Sequence, residues 1–381
     1  MERKIFALLV SIFVFSGITS LSRAQEPVKI GAVLSLTGFA SFMGEPEKNT
    51  FEMLEKEVNQ AGGINGRPLK VIVYDDKSDS TEAVLVVKRL VDKDKVVAIL
   101  GPSISPTSLA ALPTIEEKKV PAITFASSAL VIDPVRKWAF KIPHNEAFQI
   151  LRIFNHMKAH AISKIGVISA TDAYGDSGRA QLLKLAPQAG IEILGVEKFN
   201  MSDNDMSAQL TRLRGLKDIQ AIQCWAANIG PAIVAKNYRD LGIKLPEYHT
   251  HGIGSKKFIE LAGEAAEGIL FPSPKMLIYE QLAADDPQKS VIVKFNTDYE
   301  KHFKAQGDLY GANAWDGFQI LLQALKKAGP NPEKIRDEIE KTKKFVGING
   351  IFNYSPTDHG GLTEKELIMV RITKGEWKLE K

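Results

Sequence analysis

Only one of the 381 residues is a cysteine, Cys224, so the chain closes no disulfide on itself and must hold its fold by burial. That cysteine sits in the apolar run DIQAIQCWA, the setting of a buried, inert thiol. Charge of one sign is scarce as well: 49 basic residues against 45 acidic ones leave a net of +4. The basic runs, such as Lys118-Lys119 and Lys341-Thr342-Lys343-Lys344, are short and mixed with acids. A nucleic-acid partner would favour a clustered basic face, so none is expected. Catalytic and metal signatures are missing too. There is no G-x-S-x-G elbow, Walker A loop, Cys-x-x-Cys or H-E-x-x-H.

No apolar run is long enough to span a bilayer. The longest candidate, Ile5–Ile18, has about fourteen residues, short of the roughly 18–20 that a span needs. It follows the basic start Glu2-Arg3-Lys4 and precedes Ser22-Arg23-Ala24, a small-x-small site. That order reads as a secretory signal peptide over residues 1–24. No cysteine lies near the site to carry a lipid, so the mature chain is expected to be soluble. Removing the segment takes away Arg3, Lys4, Arg23 and Glu2 and lowers the basic excess from four to two. About 355 residues remain, enough for two domains with large cores.

Short runs rich in Val and Ile alternate with amphipathic stretches. VKIGAVLS (28–35) precedes a helix expected from about Pro46 to Ala61. LKVIVYDD (69–76) precedes a helix capped by Ser80, with Val84, Val87, Leu90 and Val91 on one face. VVAILG (96–101), a helix from near Thr107 and VPAITFA (120–126) continue the alternation. It restarts after Ile142-Pro143 with a helix over 146–159, a strand over 164–170, a helix to about Ala189, and further pairs up to YHTHGIGS (248–255). Strand–helix alternation means parallel sheets covered on both faces. Two doubly wound α/β units in tandem are therefore expected. Residues 286–342 read as two long helical stretches, and the tail as strands turning at Gly-Gly and Lys-Gly.

In open parallel sheets ligands bind beyond the carboxyl ends of the strands. Those ends here are small, polar and glycine-bearing: ILGPSISPTSLAAL at Ser103 and Ser105, ITFASSAL at Ala126-Ser127-Ser128, and ISATDAYGDSGRA at Tyr174. Free N–H groups at a helix start beside hydroxyls suit a carboxylate. Gly175-Asp176-Ser177-Gly178 spells the GDSG of trypsin-like proteases, but those are all-β barrels and this tetrapeptide opens a helix. His156 and His160 are four apart on a helix with no third ligand in view, and read as surface residues. His249 and His251 would project to one side of a strand, yet no other motif brings a ligand to them. No metal and no cofactor are expected.

KIGAVLSLTGFASFMGEPEKN, EVNQAGGINGRPLKVIVYDDKSD, AILGPSISPTSLAALP, TDAYGDSG and GEAAEGIL together resemble the bacterial periplasmic solute-binding proteins. The likeness runs from about Val28 to the C-terminus and is strongest to the leucine/isoleucine/valine-binding group that feeds ABC importers. The resemblance implies the type I periplasmic-binding fold: α/β, two Rossmann-like doubly wound lobes joined by three crossover strands, hinging shut on a ligand. It implies lobe 1 over 25–143 plus 275–347 and lobe 2 over 144–274 plus 348–381. It further implies a carboxylate held by Ser103, Ile104 and Ser105 and by Ala126, Ser127 and Ser128, with Tyr174 completing that end. The side-chain pocket would lie near Phe42 and Met43, with Trp225 or Ala227 as a wall. Partners implied are a small carboxylate ligand and an ABC permease in the inner membrane, the receptor being a periplasmic monomer with no enzymatic activity.

One position departs from the family. The carboxylate that recognises an amine precedes Gly-x-Gly in relatives, and His251 stands there in THGIG. An imidazole, with its reference pKa near ~6.5, supplies no fixed anion for an ammonium group. The expected ligand is a small carboxylate: a hydrophobic amino acid or, as His251 suggests, one without the α-amino group, such as a branched or aromatic acid or an oxo or hydroxy acid. An acid elsewhere in the cleft, Asp172 for instance, would restore amine binding. Two other readings use the same residues. A sensory receptor would carry a transmembrane helix, and none is legible after residue 24. A secreted hydrolase would need a nucleophile–base pair in the cleft.

Overall fold

The computed structural model describes residues 25–227 and 229–380; the segment read as a signal peptide, residues 1–24, lies outside them. The first half of the alternation forms β1 (Val28–Leu34), α1 (Ser41–Gln60), β2 (Leu69–Asp75), α2 (Ser80–Arg89), β3 (Ile99–Leu100), α3 (Ser105–Lys118), β4 (Ala122–Thr124) and β5 (Ala139–Lys141). These strands make one sheet in the order β2-β1-β3-β4-β5, every pair parallel. Six of the seven β1 residues are buried, as expected of a central strand covered on both faces.

The second half forms α4 (Glu146–Ala159), β6 (Lys164–Ala170), α5 (Ala173–Ala189), β7 (Glu192–Phe199), α6 (Ser207–Arg214), β8 (Ala221–Trp225), α7 (Gly230–Asp240), β9 (Glu247–Tyr248), α8 (Lys256–Ala262) and β10 (Leu270–Ser273). Helices α9 (Lys289–Phe303), α10 (Leu309–Ala328) and α11 (Pro332–Glu340) follow, then a ribbon of β11 (Phe345–Val346) and β12 (Ile351–Phe352). Strands β13 (Ile368–Thr373) and β14 (Glu376–Leu379) add antiparallel to the second sheet, whose order is β14-β13-β10-β9-β8-β6-β7. Two α/β lobes result, and the chain crosses between them after β5, after β10 and before β13.

Helix α10 returns to the first lobe and packs on α1, β3 and β4. Its stripe of Ala314, Phe318, Leu321 and Leu325 is wholly buried. Phe51 of α1 meets the rings of Phe125 and Phe318, each 6.1 Å away, and burial of that one side chain contributes roughly 1.5–3 kcal/mol.

Local differences from the sequence reading have identifiable causes. Helix α1 begins at Ser41, ahead of Pro46; the proline falls inside the helix instead of opening it, and its carbonyl accepts from the Thr50 hydroxyl at 2.9 Å. The cap of α2 is Asp79, whose carboxylate accepts from Thr81 and Glu82 N–H, while Ser80 is the first helical residue. Strand β3 ends before Gly101, which has φ +89°, and a Cβ there would stand 2.2 Å from the Val33 carbonyl. Only glycine permits that turn into α3. Residues 286–342 contain three helices, not two. His156 is buried, not exposed.

The histidine pair separates. Strand β9 ends at Tyr248, and His251 begins a short 3-10 turn. Fully buried His249 bonds Glu247 at 2.7 Å, whereas His251 turns into the space between the lobes.

Candidate functional site

The carboxyl ends of both sheets face one another across a cavity of about 60 Å³. On a measure where one water needs roughly 10–15 Å³, this corresponds to about four to six waters. Hydrogen bonds cross from lobe to lobe around it. The Tyr310 hydroxyl donates to the Gly252 carbonyl at 2.7 Å, and the Ser127 hydroxyl lies 2.8 Å from His251 Nε2. Ser128 Oγ meets Ser177 Oγ at 3.3 Å. The lobes are closed.

One end of the cavity is built by the turns after β3 and β4. Ile104, extended at the N-cap of α3, offers no side-chain cap, so the first-turn N–H groups have no intrahelical acceptor. Ser103, Ile104, Ser105 and Pro106 all line the space. The Ser103 hydroxyl turns inward, accepting from Ser35 N–H at 3.1 Å and donating to the Glu47 carboxyl. Ser105 Oγ accepts from Ser128 N–H at 3.2 Å, joining the two loops. Ala126 and Ser127 line the cavity, while Ser128 lies behind as this tie.

Lys141, at the end of β5, is fully buried and donates to the Ser127 carbonyl at 2.6 Å. Burial pulls its ammonium down to about 8, with Glu146 and Asp358 opposing. It therefore stays largely protonated at neutral pH and sets a positive field behind the serine loop.

The second lobe brings Asp172, Tyr174, Ala227, His251 and Gly252 to the cavity. Asp172 caps α5 by accepting from Gly175 N–H at 2.7 Å, and burial raises its carboxyl above the ordinary value. Burial likewise raises the Tyr174 phenol. Burial, aided by Lys141, pushes His251 down to about 3; its ring is neutral. His144 is buried nearby with both ring nitrogens unpartnered, and burial, His251 and Lys141 keep it neutral also.

Phe39, Met43, Phe125, Leu309 and Tyr310 supply an apolar wall. Phe42 packs its edge on Tyr310 from behind, with ring centroids 5.7 Å apart. Trp225 is completely buried behind Tyr174, also at 5.7 Å, and Ala227 reaches the cavity in its place. Neither Phe42 nor Trp225 lines the space. Residues that sequence reasoning missed are Phe39, Lys141, Tyr310, Asn313 and Asn349. The last three arrive from α10 and the segment beyond it, far along the chain and without a local motif. A basic residue inside the apolar run WAFKIP (138–143) was the one available signal for Lys141.

Ser127 and His251 stand at nucleophile–base distance, so acyl chemistry has to be weighed. An imidazole held at about 3 is a poor base near neutral pH. Among the described residues no carboxylate hydrogen-bonds His251 Nδ1 to orient it as in a triad. The arrangement suits a contact between lobes better than proton transfer. Among the described residues no group of metal-ligating side chains faces the cavity.

A family model described as "Periplasmic binding protein" matches residues 27–376. The leucine-, isoleucine-, valine-, threonine- and alanine-binding protein of Pseudomonas aeruginosa is 24% identical, over 97% of this chain and 95% of that one. The structure is similar to that of an extracellular ligand-binding receptor from Rhodopseudomonas palustris, with a TM-score of 0.88 and 28% identity, covering 93% of this chain and all of that one. It is also similar to a branched-chain amino acid transporter substrate binding protein from Streptococcus pneumoniae in complex with isoleucine, with a TM-score of 0.82 and 25% identity, covering 93% and 98%.

Proposed function

The chain belongs to the periplasmic binding protein family, and from that premise we propose that it captures a small carboxylic acid lacking an α-amino group and hands it to an ABC-type permease. Work of this kind is done outside the cytoplasm, here in the periplasm, by a monomer that residues 1–24 direct there. No bond is made or broken; ligand binding shifts the lobes toward the closed state.

The observation that carries the ligand class is the neutral imidazole of His251, engaged with Ser127 where an amine-binding relative would present an anion. The positive field of Lys141 and the uncapped start of α3 favour a carboxylate at the serine loops. Apolar side chains suit a compact branched or aromatic body. Asn313 and Asn349 also line the cavity and add polar groups suited to an oxo or hydroxyl group.

Calorimetry on the mature chain, unfolded and refolded to strip copurified ligand, tests this. The panel pairs leucine, valine and phenylalanine with their oxo, hydroxy and deaminated counterparts. We expect the acids without an amine to bind at least tenfold more tightly than the amino acid of the same skeleton. Asp172→Asn, which keeps the α5 cap, should leave their affinity within about twofold. Tight leucine or valine binding that vanishes in Asp172→Asn would reverse the assignment and make Asp172 the amine partner.

A further inference from the structure

His156 lies in the last turn of helix α4 and His160, four residues on, is its C-cap, a spacing that brings two side chains to one face. The fold brings a third group to that face from the far end of the chain. Glu380, just beyond β14, places Oε1 3.5 Å from His156 Nε2. One ligating atom from each of His156, His160 and Glu380 lies within 4.8 Å of the others. A tetrahedral centre with bonds of about 2.0–2.1 Å needs its ligand atoms roughly 3.3 Å apart, so the separations must tighten by at most about 1.5 Å. His160 is exposed, so its ring has room to supply most of that tightening.

The hydrogen bonds around the three residues leave their ligating atoms available. His160 Nδ1 is 2.9 Å from the His156 carbonyl. A carbonyl only accepts, so Nδ1 carries the proton and Nε2 keeps its lone pair. His156 Nδ1 is 3.0 Å from the Tyr248 hydroxyl, and its Nε2 is buried with no hydrogen-bond partner. The side chain of His156 is 7% exposed, and the long 3.5 Å approach of Glu380 Oε1 leaves that buried nitrogen only weakly partnered. Arg371 clamps the carboxylate, donating to Oε2 at 2.8 Å and to Oε1 at 2.6 Å, which orients Glu380 and leaves each oxygen a further lone pair. Imidazoles held through Nδ1 beside an oriented carboxylate are the supporting arrangement of metal ligands.

We propose that His156, His160 and Glu380 bind a divalent transition-metal ion of the Zn²⁺ class. Two imidazoles and one carboxylate select Zn²⁺, Ni²⁺ or Cu²⁺ over Mg²⁺ or Ca²⁺. The histidines also line a groove of about 720 Å³ on the second lobe, which gives the ion an entry path and room for water as remaining ligand. None of the three residues lines the interlobe cavity, so the site is independent of the transported ligand. A bound ion ties the chain end to α4.

The test uses the mature, tag-free chain after chelator treatment, with Zn²⁺ alone as probe. Equilibrium dialysis with metal analysis should give one tight equivalent, undisturbed by hundredfold Mg²⁺. His160→Gln and Glu380→Gln should each weaken it at least tenfold with unchanged circular dichroism, and Tyr248→Phe by roughly tenfold. On the wild-type chain, imidazole NMR signals of two of the seven histidines should shift with that one equivalent. Absence of stoichiometric uptake, uptake unchanged in both variants, or shifts at other histidines would each overturn the proposal.

Discussion

His251 shows what one residue decides. Closed between the lobes, its imidazole is held down to about 3 by burial and by Lys141, whereas a solvated histidine titrates near ~6.5. Between those values the open form binds a proton that the closed form excludes. Closure therefore weakens as pH falls through about 6.5, and the loss continues toward about 3. One such group lowers the closing equilibrium about thirtyfold by pH 5. Ligand affinity measured by calorimetry should drop by that factor between pH 7.5 and 5, and His251→Asn should flatten the profile. The position of His251 was legible because it departs from a local motif. That of Lys141 was not, because its effect on the cavity passes through the Ser127 carbonyl, a contact made across the sheet.

Helix α10 shows what an element decides. Its cap, Asp308, accepts from Tyr310 N–H at 3.0 Å and Gly311 N–H at 2.9 Å, and the first turns then present Tyr310 and Asn313 to the cavity. Asp308→Ala should destabilise the chain by about 1 kcal/mol, while Asp308→Asn, which still caps, should cost only a few tenths. Urea unfolding midpoints will separate the two. The buried stripe of this helix was readable from its 3.6-residue period, since packing repeats along the sequence. Its contribution to the site was not, because that depends on where the helix lands. The same contrast holds at Ser80 and Asp79: both are cap residues, and only backbone geometry distinguishes them.

At the scale of the molecule, the proposed function rests on an equilibrium between open and closed lobes. The Tyr310–Gly252 bond spans α10 of the first lobe and the turn after β9 of the second, so it requires the lobes to be together. A hydrogen bond of ordinary kind is worth about 0.5–1.5 kcal/mol net. Tyr310→Phe keeps the ring on the wall and removes only the hydroxyl. It should reduce the closed population, and the affinity for every ligand alike, by roughly 2–10-fold. Small-angle scattering with and without ligand reads the population, and calorimetry the affinity. A loss confined to one ligand would instead mean that the hydroxyl touches ligand directly.

Periodicity and turn chemistry in the sequence were enough to establish two α/β lobes, because the repeat of apolar residues along a strand or helix is a local property. The serine loops and His251 were readable for the same reason: each lies within a few residues of a strand end. Only the tertiary structure decided that His249 and His251 part company, that Tyr310, Asn313 and Asn349 return to the cleft, and that Glu380 meets His156 and His160. The last two outcomes join residues distant along the chain, and the first depends on where strand β9 stops; all are determined by how finished elements pack.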